Sequence, residues 1–551
     1  MSGVYPDTIR IEMQLGGTAG AWTDVSDDWL QRDGIHVSCG IRGSGPLDRV
    51  ASTGTMKFSL DNSEKNSAGL IGYYSPGHHN CRTGFQAGIP VRLRLIYDGR
   101  TYRKFYGRIS PDGIDVSPGL LGERKTEIEV VDYMDILGSH EINLLDLTEN
   151  VRIDEAVPLI LANVDVQPLA TDYNTGEDVF TTVGDTVKRR GTALGELVKL
   201  ANSELGYIYI TRDASHDEIL VVEGRMTRNR TTAVAEIVKP SYLSGYMLME
   251  SGDYVLMEDG TSKILLDEKL AVDFADQQLD MTVKHGANLA NIIKATSYPR
   301  SIDTSATVLF TLNSSMQMDA GETKSGYKVT YRDPVGGAPQ VAGKNMIDPA
   351  ATVDYTMHAD SAGTGADLTA NLSVSALYGA DGAEYTFVNS GTVTGYITKL
   401  QARGYGIYMY DPVAFVVSNT TSEQTHGSRT LNLDLKYQDD PSIAEAFANI
   451  VLNHYATPKS TAESVTFGAN RDESMMGVFM QIDVGGRVTI SESVTAIDED
   501  YFINGVDFDI EEGNIINFKW YIKRAAFDTY AFWYIGEVGY SELGQTTFIG
   551  F

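Results

Sequence analysis

The chain has 551 residues and a formal net charge of −30, with hydrophobic residues at 42% and charged residues at 21%. This length is too great for one hydrophobic core, so we expect about three to five domains. A surface this acidic repels phosphate, which argues against tight electrostatic binding of nucleic acid. A polyanion could still pass along such a surface without being held, and simple solubility explains the charge equally well.

The cysteine count and the first residues bear on where the chain is made. Cys39 and Cys81 are the only cysteines. They cannot form a disulfide framework, so we expect free thiols in a reducing cytosol. Residues 1–7 lack the basic and apolar regions of a secretion signal, and no apolar run reaches the length of a bilayer span. We therefore expect synthesis in a cytoplasm and no membrane insertion.

Residues 1 to about 145 alternate short strand patterns with turns. Apolar residues occupy alternate positions in 8–15 and 91–97. Asp98-Gly99 predicts a tight turn into a strand at 102–109, and another strand is predicted at 126–131. Several short strands separated by turns favour a β-barrel or a sandwich.

Residues 146–240 change to a mixed pattern. A short helix is predicted over 154–162. Thr192 can cap a second helix, and Gly206 lies just past the end of that helix. Strands are predicted at 207–211 and 219–222, so this part indicates a small α+β domain.

A short internal repeat follows at 246–268. Tyr246 to Asp253 is echoed by Tyr254 to Thr261, and 263–268 forms a looser third copy. Apolar stretches divided by acidic-glycine turns predict a β-meander. The repeat offers candidate partner contacts, although packing within the meander is the simpler use of these side chains. These candidates are Tyr246, Met249, Tyr254 and Met257.

Residues 302–424 form a second β-rich block. Its predicted strands include 327–331, 372–377, 383–388, 395–402 and 407–410. The block interrupts a different pattern on either side, so we expect an immunoglobulin-like β-sandwich inserted into the surrounding domain.

Residues 425–524 resume the earlier pattern. Asp440 can cap a helix that has Pro441 at its first position and runs to Ala456, with Pro458 just beyond it. Strands are predicted on both sides of this helix, at 431–435, 478–482, 487–490, 501–510 and 515–522.

The last residues, 525–551, are dense in aromatic side chains. An apolar terminal segment that does not span a membrane usually docks on protein, here on its own chain or on a neighbouring subunit. The expected contact residues in this tail are Trp533, Tyr534, Tyr540, Phe548 and Phe551.

The sequence offers few groups for chemistry. His78-His79-Asn80-Cys81 comes nearest to a metal cluster, but adjacent histidines rarely aim at one ion, and no second pair lies at ligand spacing. Zinc-protease, phosphate-loop and nucleophile-elbow motifs are absent from the sequence. With 74 acidic residues, no single carboxylate pair is informative. We expect no enzyme activity, no metal and no cofactor.

The stretches at the two ends resemble bacteriophage tail proteins of the hub class, which are related to the central baseplate hub of contractile phages and to late-control tail proteins. The matching stretches include Phe105-Tyr106-Gly107-Arg108-Ile109 and Gly485-Gly486-Arg487-Val488. Their order along the chain carries the resemblance, which covers roughly 60% of the residues and leaves out the inserted block, as expected of a decoration on a scaffold. The matching stretches are 22–25, 54–63, 87–92, 105–109, 194–225, 443–455, 485–488, 501–506 and 533–551.

The resemblance implies a mainly β, multi-domain chain with two hub-type β-barrels. It divides the chain into an N-terminal barrel (1–145), the α+β domain (146–240), the meander (241–275), a second barrel (276–301 and 425–524), the inserted sandwich (302–424) and the docking tail (525–551).

The implied function is structural, in the virion tail. A homotrimer would form a ring that adapts the hexameric tail tube to a trimeric tip and lines the DNA channel. Its expected partners are a tail-tube or distal tail protein and fibre or tip proteins, while genomic DNA passes without specific binding. Two alternatives remain: a receptor-binding adhesin with 302–424 as its head, and a tail-borne glycan hydrolase.

Overall fold

Antiparallel strands in several sheets make up most of the chain, as predicted for a mainly β protein with an α+β portion. The computed structural model describes residues 4–18, 20–119, 123–142, 148–183, 191–230, 278–379 and 381–525. The meander predicted within 241–275 lies outside these ranges, and so does the tail beyond Ala525.

The N-terminal part forms seven strands and a helix. Asp98 and Gly99 have φ angles of 51° and 68°, the left-handed conformation that a two-residue hairpin turn requires, which confirms the predicted turn. The elements are β1 (Thr8–Gln14), β2 (Trp22–Asp24), β3 (Ile35–Gly40), β4 (Ser52–Asp61), β5 (Pro90–Tyr97), β6 (Arg100–Ser117), β7 (Lys125–Val131) and α1 (Tyr133–Ser139).

The next part mixes helices with short strands. The Thr192 side chain accepts the N–H of Gly195 at 3.1 Å and so caps the predicted helix, which ends where Leu205 turns left-handed at a φ of 57°. The elements are β8 (Glu141–Ile142), β9 (Thr148–Val151), α2 (Ile153–Leu161), β10 (Thr171–Tyr173), β11 (Phe180–Val183), β12 (Gly191–Thr192), α3 (Ala193–Glu204), β13 (Tyr207–Thr211), β14 (Ile219–Glu223) and α4 (Thr227–Arg230).

After residue 278 two strands lead into the inserted block. They are β15 (Asp280–His285) and β16 (Ile292–Ser297). The block itself contains β17 (Arg300–Ile302), β18 (Thr307–Thr311), β19 (Met316–Met318), β20 (Thr323–Thr330), β21 (Gln340–Ile347), β22 (Tyr355–His358), β23 (Leu372–Tyr378), β24 (Gly382–Asn389) and β25 (Gly395–Met409).

The long strand β25 organises the inserted block. It pairs with β17, β18, β19, β21 and β22, while β20, β24 and β23 form a second sheet. Buried residues of the two sheets share one core, which includes Leu309, Phe387 and Leu400. The sequence predicts two strands, at 395–402 and 407–410, where β25 is continuous and includes Gly404 and Gly406. Both glycines instead stay extended, since β18 and β21 pair with them.

The chain then returns to the scaffold. Its last elements are β26 (Val413–Ser418), α5 (Thr420–His426), β27 (Thr430–Leu435), α6 (Pro441–Tyr455), β28 (Ser460–Gly468), α7 (Glu473–Gln481), β29 (Arg487–Glu492), β30 (Ile497–Glu511) and β31 (Ile515–Arg524).

Helix α6 has the predicted limits, because the Asp440 side chain accepts the N–H of Ser442 at 2.8 Å and Pro441 opens the first turn. The prediction of a strand at 478–482 is wrong. Asp472 caps a helix there by accepting the N–H of Met475 at 2.8 Å, and apolar side chains such as Met476 and Phe479 bury one face of α7.

A small sheet of β26, β16 and β27 lies against α6. Ile293, Phe447 and Val451 belong to its core. The boundary of the insertion differs here from the one expected from the sequence. Residues 413–418 fall within the predicted sandwich, yet β26 pairs along its whole length with β16. Nothing in the local sequence marks this change of partner.

The largest sheet joins the two ends of the chain. Its strands run in the order β15, β28, β31, β30, β3, β4, β7, β6, β5, β1 and β2, and β29 pairs with β30 beside this path. The central contact is antiparallel, with Ile35 opposite Ile510 and Cys39 opposite Val506. The N-terminal and C-terminal strands therefore form one continuous layer over a shared core.

Within the described ranges, no helix is both long and apolar enough to cross a membrane.

Candidate assembly interface

The largest sheet is called the central sheet from here on. One of its faces is polar across β6, β7, β4, β3, β30 and β31, and we call it the polar sheet face. Side chains that are opposite each other in register share a face, so one row runs from Glu129 through Lys57, His36 and Asp509 to Asn517. The polar sheet face also includes Asp115, Lys125, Glu127, Ser38, Asp507 and Lys519.

The opposite face of the same strands is apolar and buried. Val37, Phe58, Val130, Phe508 and Phe518 are each no more than 3% exposed. This strict alternation fixes which face meets solvent, because a register slip of one residue would reverse every side chain. The polar sheet face is thus set by the fold.

Ion pairs and hydrogen bonds connect neighbouring strands on the polar sheet face. Lys57 Nζ lies 3.2 Å from Glu129 Oε2, and His36 Nδ1 lies 2.6 Å from Asp509 Oδ1. The side chains of His36 and Asp509 are 58% and 50% exposed. Exposed pairs of this kind contribute little to stability, so this charged surface is available for another role.

The lysines of this face have partners within the chain. Lys125 Nζ lies 2.6 Å from Glu127 and 2.9 Å from Asp33, and these hydrogen bonds raise the pKa of Lys125. Lys519 Nζ lies 5.0 Å from the centre of the Tyr521 ring. A polyanion that passes Lys125 gains little, because that lysine is already paired with carboxylates.

A buried ion pair ties the α+β part to the central sheet. The Arg228 Nε donates to Glu223 at 2.7 Å, and its Nη1 donates to the Asn504 side chain on β30 at 3.1 Å. The guanidinium also lies 3.6 Å from the centre of the Tyr207 ring. Since Tyr209 donates to Glu223 at 2.9 Å, every group in this cluster fixes β13 and β14 against β30.

A second buried cluster lies where β6, β13 and the segment after α7 meet. Arg212 Nη1 donates to Asp483 at 3.0 Å and lies 3.6 Å from Cys39 Sγ. Burial lowers the pKa of Lys104 to about 8, and its Nζ donates to the carbonyls of Phe479 and Met480. Burial raises the pKa of the Cys39 thiol to about 11, so this cysteine is inert packing.

Several carboxyl groups are buried in and near the α+β part, and three of them have a pKa well above the ordinary value. Burial raises the pKa of Glu204 to about 7, and the nearby Asp178 carboxylate adds to this effect. Burial also raises the pKa of Glu218 to about 7 and that of Asp132 to about 6. Asp132 accepts the N–H of Met134 at 3.0 Å and caps α1, which is a structural role.

The His78–Cys81 loop makes local contacts. His78 Nδ1 accepts the N–H of Asn80 at 3.1 Å, and the rings of His78 and His79 lie 4.3 Å apart. Across the described ranges, no group of three or more histidine, cysteine, aspartate and glutamate side chains is placed to hold a metal ion.

The contact residues expected from the sequence are not placed by the structure. All lie outside the described residues: Tyr246, Met249, Tyr254, Met257, Trp533, Tyr534, Tyr540, Phe548 and Phe551. Sequence reasoning missed the polar sheet face, although one signal was present. Polar residues alternate with apolar ones in β3, β4, β7 and β30, and this alternation marks an exposed face before any partner strand is known.

No protein-family model and no curated protein matches the chain. Among solved structures it is similar to a tail protein from Neisseria meningitidis MC58, at 10% identity over 93% of this chain and 96% of that chain, with a TM-score of 0.42.

Two prophage tail proteins are also similar. The 43 kDa tail protein of prophage MuSo2 from Shewanella oneidensis has 9% identity over 94% of this chain and 99% of that chain, with a TM-score of 0.44. The tail protein gp18 from Listeria monocytogenes EGD-e has 8% identity over 93% and 94%, with a TM-score of 0.36. All three of these solved structures are of tail proteins.

Proposed function

We propose that the chain is a structural hub protein at the distal end of a phage tail. Copies of it form a ring that adapts the hexameric tail tube to a trimeric tip and lines the channel for DNA. The observation that carries this proposal is the pairing of β3 with β30. It unites the N-terminal and C-terminal stretches that carry the hub resemblance in one sheet.

The strand arrangement suits a change of symmetry. Each subunit contributes two neighbouring groups of antiparallel strands, β1–β7 and β28–β31, on either side of the β3–β30 contact. Three subunits supply two groups each, so a trimer presents six similar positions to a hexameric tube. A homotrimer is therefore the assembly that we propose.

The polar sheet face suits the wall of a DNA channel. Its carboxylates, including Glu127, Glu129 and Asp507, repel phosphate, while its lysines are held by groups of the same chain. DNA binding depends on free cations that replace counterions, and such a wall offers few of them. We infer that DNA passes this face without specific binding.

The inserted block offers contacts to fibre or tip proteins. Val335 and Leu377 are 92% and 75% exposed, which is unusual for large apolar side chains in a well-packed domain. The same observation favours a second candidate function, a receptor-binding head. Replacement of 303–406 by a two-residue turn between Ile302 and Ile407, which are paired, would abolish host adsorption in that case and leave tails intact.

Imaging tests the proposed function. We expect the purified protein to form rings with threefold symmetry by negative-stain electron microscopy, and to bind the tail-tube protein of the same phage. A monodisperse monomer at micromolar concentration that does not bind the tube protein would overturn the proposal. A monomer that cleaves host envelope glycan would favour the hydrolase instead.

A further inference from the structure

A cavity of about 610 Å³ lies between the start of β6, the end of β13 and the segment 480–487. Its charge is opposite to that of the chain as a whole. The cationic side chains that line it outnumber the two carboxylates, which belong to Asp213 and Asp483. These cationic residues are Arg100, Arg103, Lys104, Arg212 and Arg487.

Two other cavities have the expected acidic character. One of about 390 Å³ is lined by Asp132, Asp165 and Glu218 with a single arginine. The other, of about 400 Å³ on the polar sheet face, has more carboxylates than lysines. A basic cavity in a chain of net charge −30 therefore stands out as a place for an acidic group.

The Arg212 guanidinium lies in the wall of the basic cavity. Its side chain is only 3% exposed, and its Nη1 donates to Asp483 at 3.0 Å. Its Nε and Nη2 have no hydrogen-bond partner among the described residues, and both are shielded from solvent. Arg212 therefore contributes positive charge to the cavity, while its N–H groups are not open to a ligand.

The rest of the lining combines polar residues, such as Thr101 and Gln481, with apolar ones. Tyr102, Met480, Ile482 and Val484 surround the cationic groups. A fitting ligand therefore combines an apolar side chain with neighbouring carboxylates, as an acidic peptide segment does. A nucleic-acid backbone offers phosphates without the apolar side chain and fits this lining less well.

The hairpin of β29 and β30 ends in a tip with this composition. Val494 at the tip is 90% exposed. The Glu492 carboxylate accepts hydrogen bonds from the Thr495 hydroxyl and from the N–H groups of Val494 at 2.9 Å and Thr495 at 2.7 Å, which fixes the turn and lowers the pKa of Glu492. Asp498 is exposed on the other strand, so a single apolar side chain is flanked by two carboxylates.

The tip cannot enter the cavity of its own chain. Arg487 lines the cavity and is also the first residue of β29. The six residues of β29 pair fully with β30, so the tip lies roughly 20 Å away along an extended ribbon. Only another copy can bring its tip to this cavity, and such a head-to-tail contact either closes a ring or grows a filament.

We propose that the Val494 tip of one copy inserts into the cavity between β6, β13 and 480–487 of the next copy. The contact is the joint between neighbouring subunits, and it rests on the proposed ring. Val494 fills the apolar part of the cavity, while the exposed Asp498 carboxylate meets Arg100.

A matched pair of valine substitutions tests the joint. Val494→Lys places a positive charge at the tip, where the cationic lining of the cavity would repel it, and Val335→Lys does the same at an equally exposed valine of the inserted block. We expect V494K to weaken ring formation at least tenfold by native mass spectrometry, and V335K to leave it unchanged. Both variants should keep the wild-type thermal midpoint, because both positions are exposed.

A charge exchange and a cross-link test whether the tip of one copy contacts the cavity of the next copy. Arg100→Asp and Asp498→Arg should each weaken the ring, and the double variant should restore it. With Cys81 replaced by serine, the pair T101C and V494C should form disulfide-linked oligomers on oxidation, whereas T101C with V335C should not.

Each outcome decides between the two proposals. Wild-type rings that persist in V494K without any T101C–V494C cross-link would overturn the joint and leave the hub function standing. Wild-type protein that stays monomeric at all concentrations would overturn both. Rings lost only when DNA is removed would show that nucleic acid, rather than the tip, occupies the cavity.

Discussion

Gly40 of β3 and Gly505 of β30 lie opposite each other where the N-terminal strands join the C-terminal strands. Gly40 has a φ of 89°, and a Cβ atom there would lie 2.5 Å from the Asn504 carbonyl oxygen and 2.7 Å from Gly505 Cα. The missing side chains let Ile41 N–H donate to that carbonyl at 2.6 Å. The close approach of β3 and β30 therefore depends on glycine at these two positions.

We expect Gly40→Ala to destabilise the central sheet by about 2–4 kcal/mol, because it combines a left-handed φ with a steric clash. Gly77→Ala is the control, since Gly77 has a φ of 84° and open space around its Cβ position. That variant should lose only about 1 kcal/mol. Urea unfolding followed by tryptophan fluorescence measures both, and equal losses would show that the clash is relieved by a small shift.

We expect Arg228→Met to destabilise the protein by about 3–5 kcal/mol, because the buried Glu223 carboxylate loses its cationic partner. The double variant R228M/E223L should recover much of this loss. As a control, Arg10→Met removes an exposed ion pair with Asp24 and should change stability by less than about 1 kcal/mol. A similar loss in the single and double variants would contradict this account.

An element of this fold can be predicted from the sequence when the residues that determine it are close together along the chain. The limits of α3 and α6 were predictable because Thr192, Asp440 and Pro441 act within one helical turn of their own positions. The strand predicted at 478–482 was wrong because a short apolar run fits both structures. At this position the Asp472 side chain accepts the N–H of Met475, and this N-terminal cap favours a helix.

Long-range partners were beyond local reasoning. Alternation in β3 shows which side chains are buried, but no local feature shows that β30, rather than another strand, lies beside it. The basic cavity is missed for the same reason, since Tyr102, Arg212 and Ile482 come together only through the fold.

We expect stability to fall as the pH rises through neutrality, in part because of Glu204. Its pKa is about 7 in the folded protein against an ordinary value of 4.5, so folding favours the protonated form. The stabilisation from this group is complete below about pH 4.5 and is lost as the pH passes about 7.

Glu204→Gln should flatten this part of the pH dependence. The wild type should lose on the order of 1–3 kcal/mol more than E204Q between pH 5 and pH 8 in denaturant titrations. Glu64→Gln, at an exposed position, should keep the wild-type slope. An unchanged slope in E204Q would show that Glu204 is ionised in the folded protein at both pH values.

We expect the two thiols to differ sharply in reactivity. Cys39 is 2% exposed and its pKa is about 11, whereas Cys81 is half-buried. Native protein at pH 8 should therefore react with a chromogenic disulfide reagent at Cys81 alone, and Cys39 should react only on unfolding. A C81S variant that still reacts quickly would contradict the burial of Cys39.

We expect positive charge on the polar sheet face to slow the passage of DNA without preventing assembly. The double variant D507K/D509K adds cations that lack carboxylate partners, so phosphate should be held there. Phage that carry it should form tails of normal length and eject DNA several-fold more slowly at low salt. D381K/D411K, on exposed residues of and beside the inserted block, is the control. Loss of tails in D507K/D509K alone would place this face between subunits.

The β3–β30 contact also determines when a newly made chain can complete its central sheet. His36 and its partner Asp509 are 473 residues apart along the chain. At a synthesis rate of about 5–20 residues per second, β3 waits roughly 20 to 100 s for β30. A chain that stops early leaves the edge of β3 open and lacks the β29–β30 hairpin altogether. We therefore expect chains truncated before β30 to be degraded faster than chains that include it.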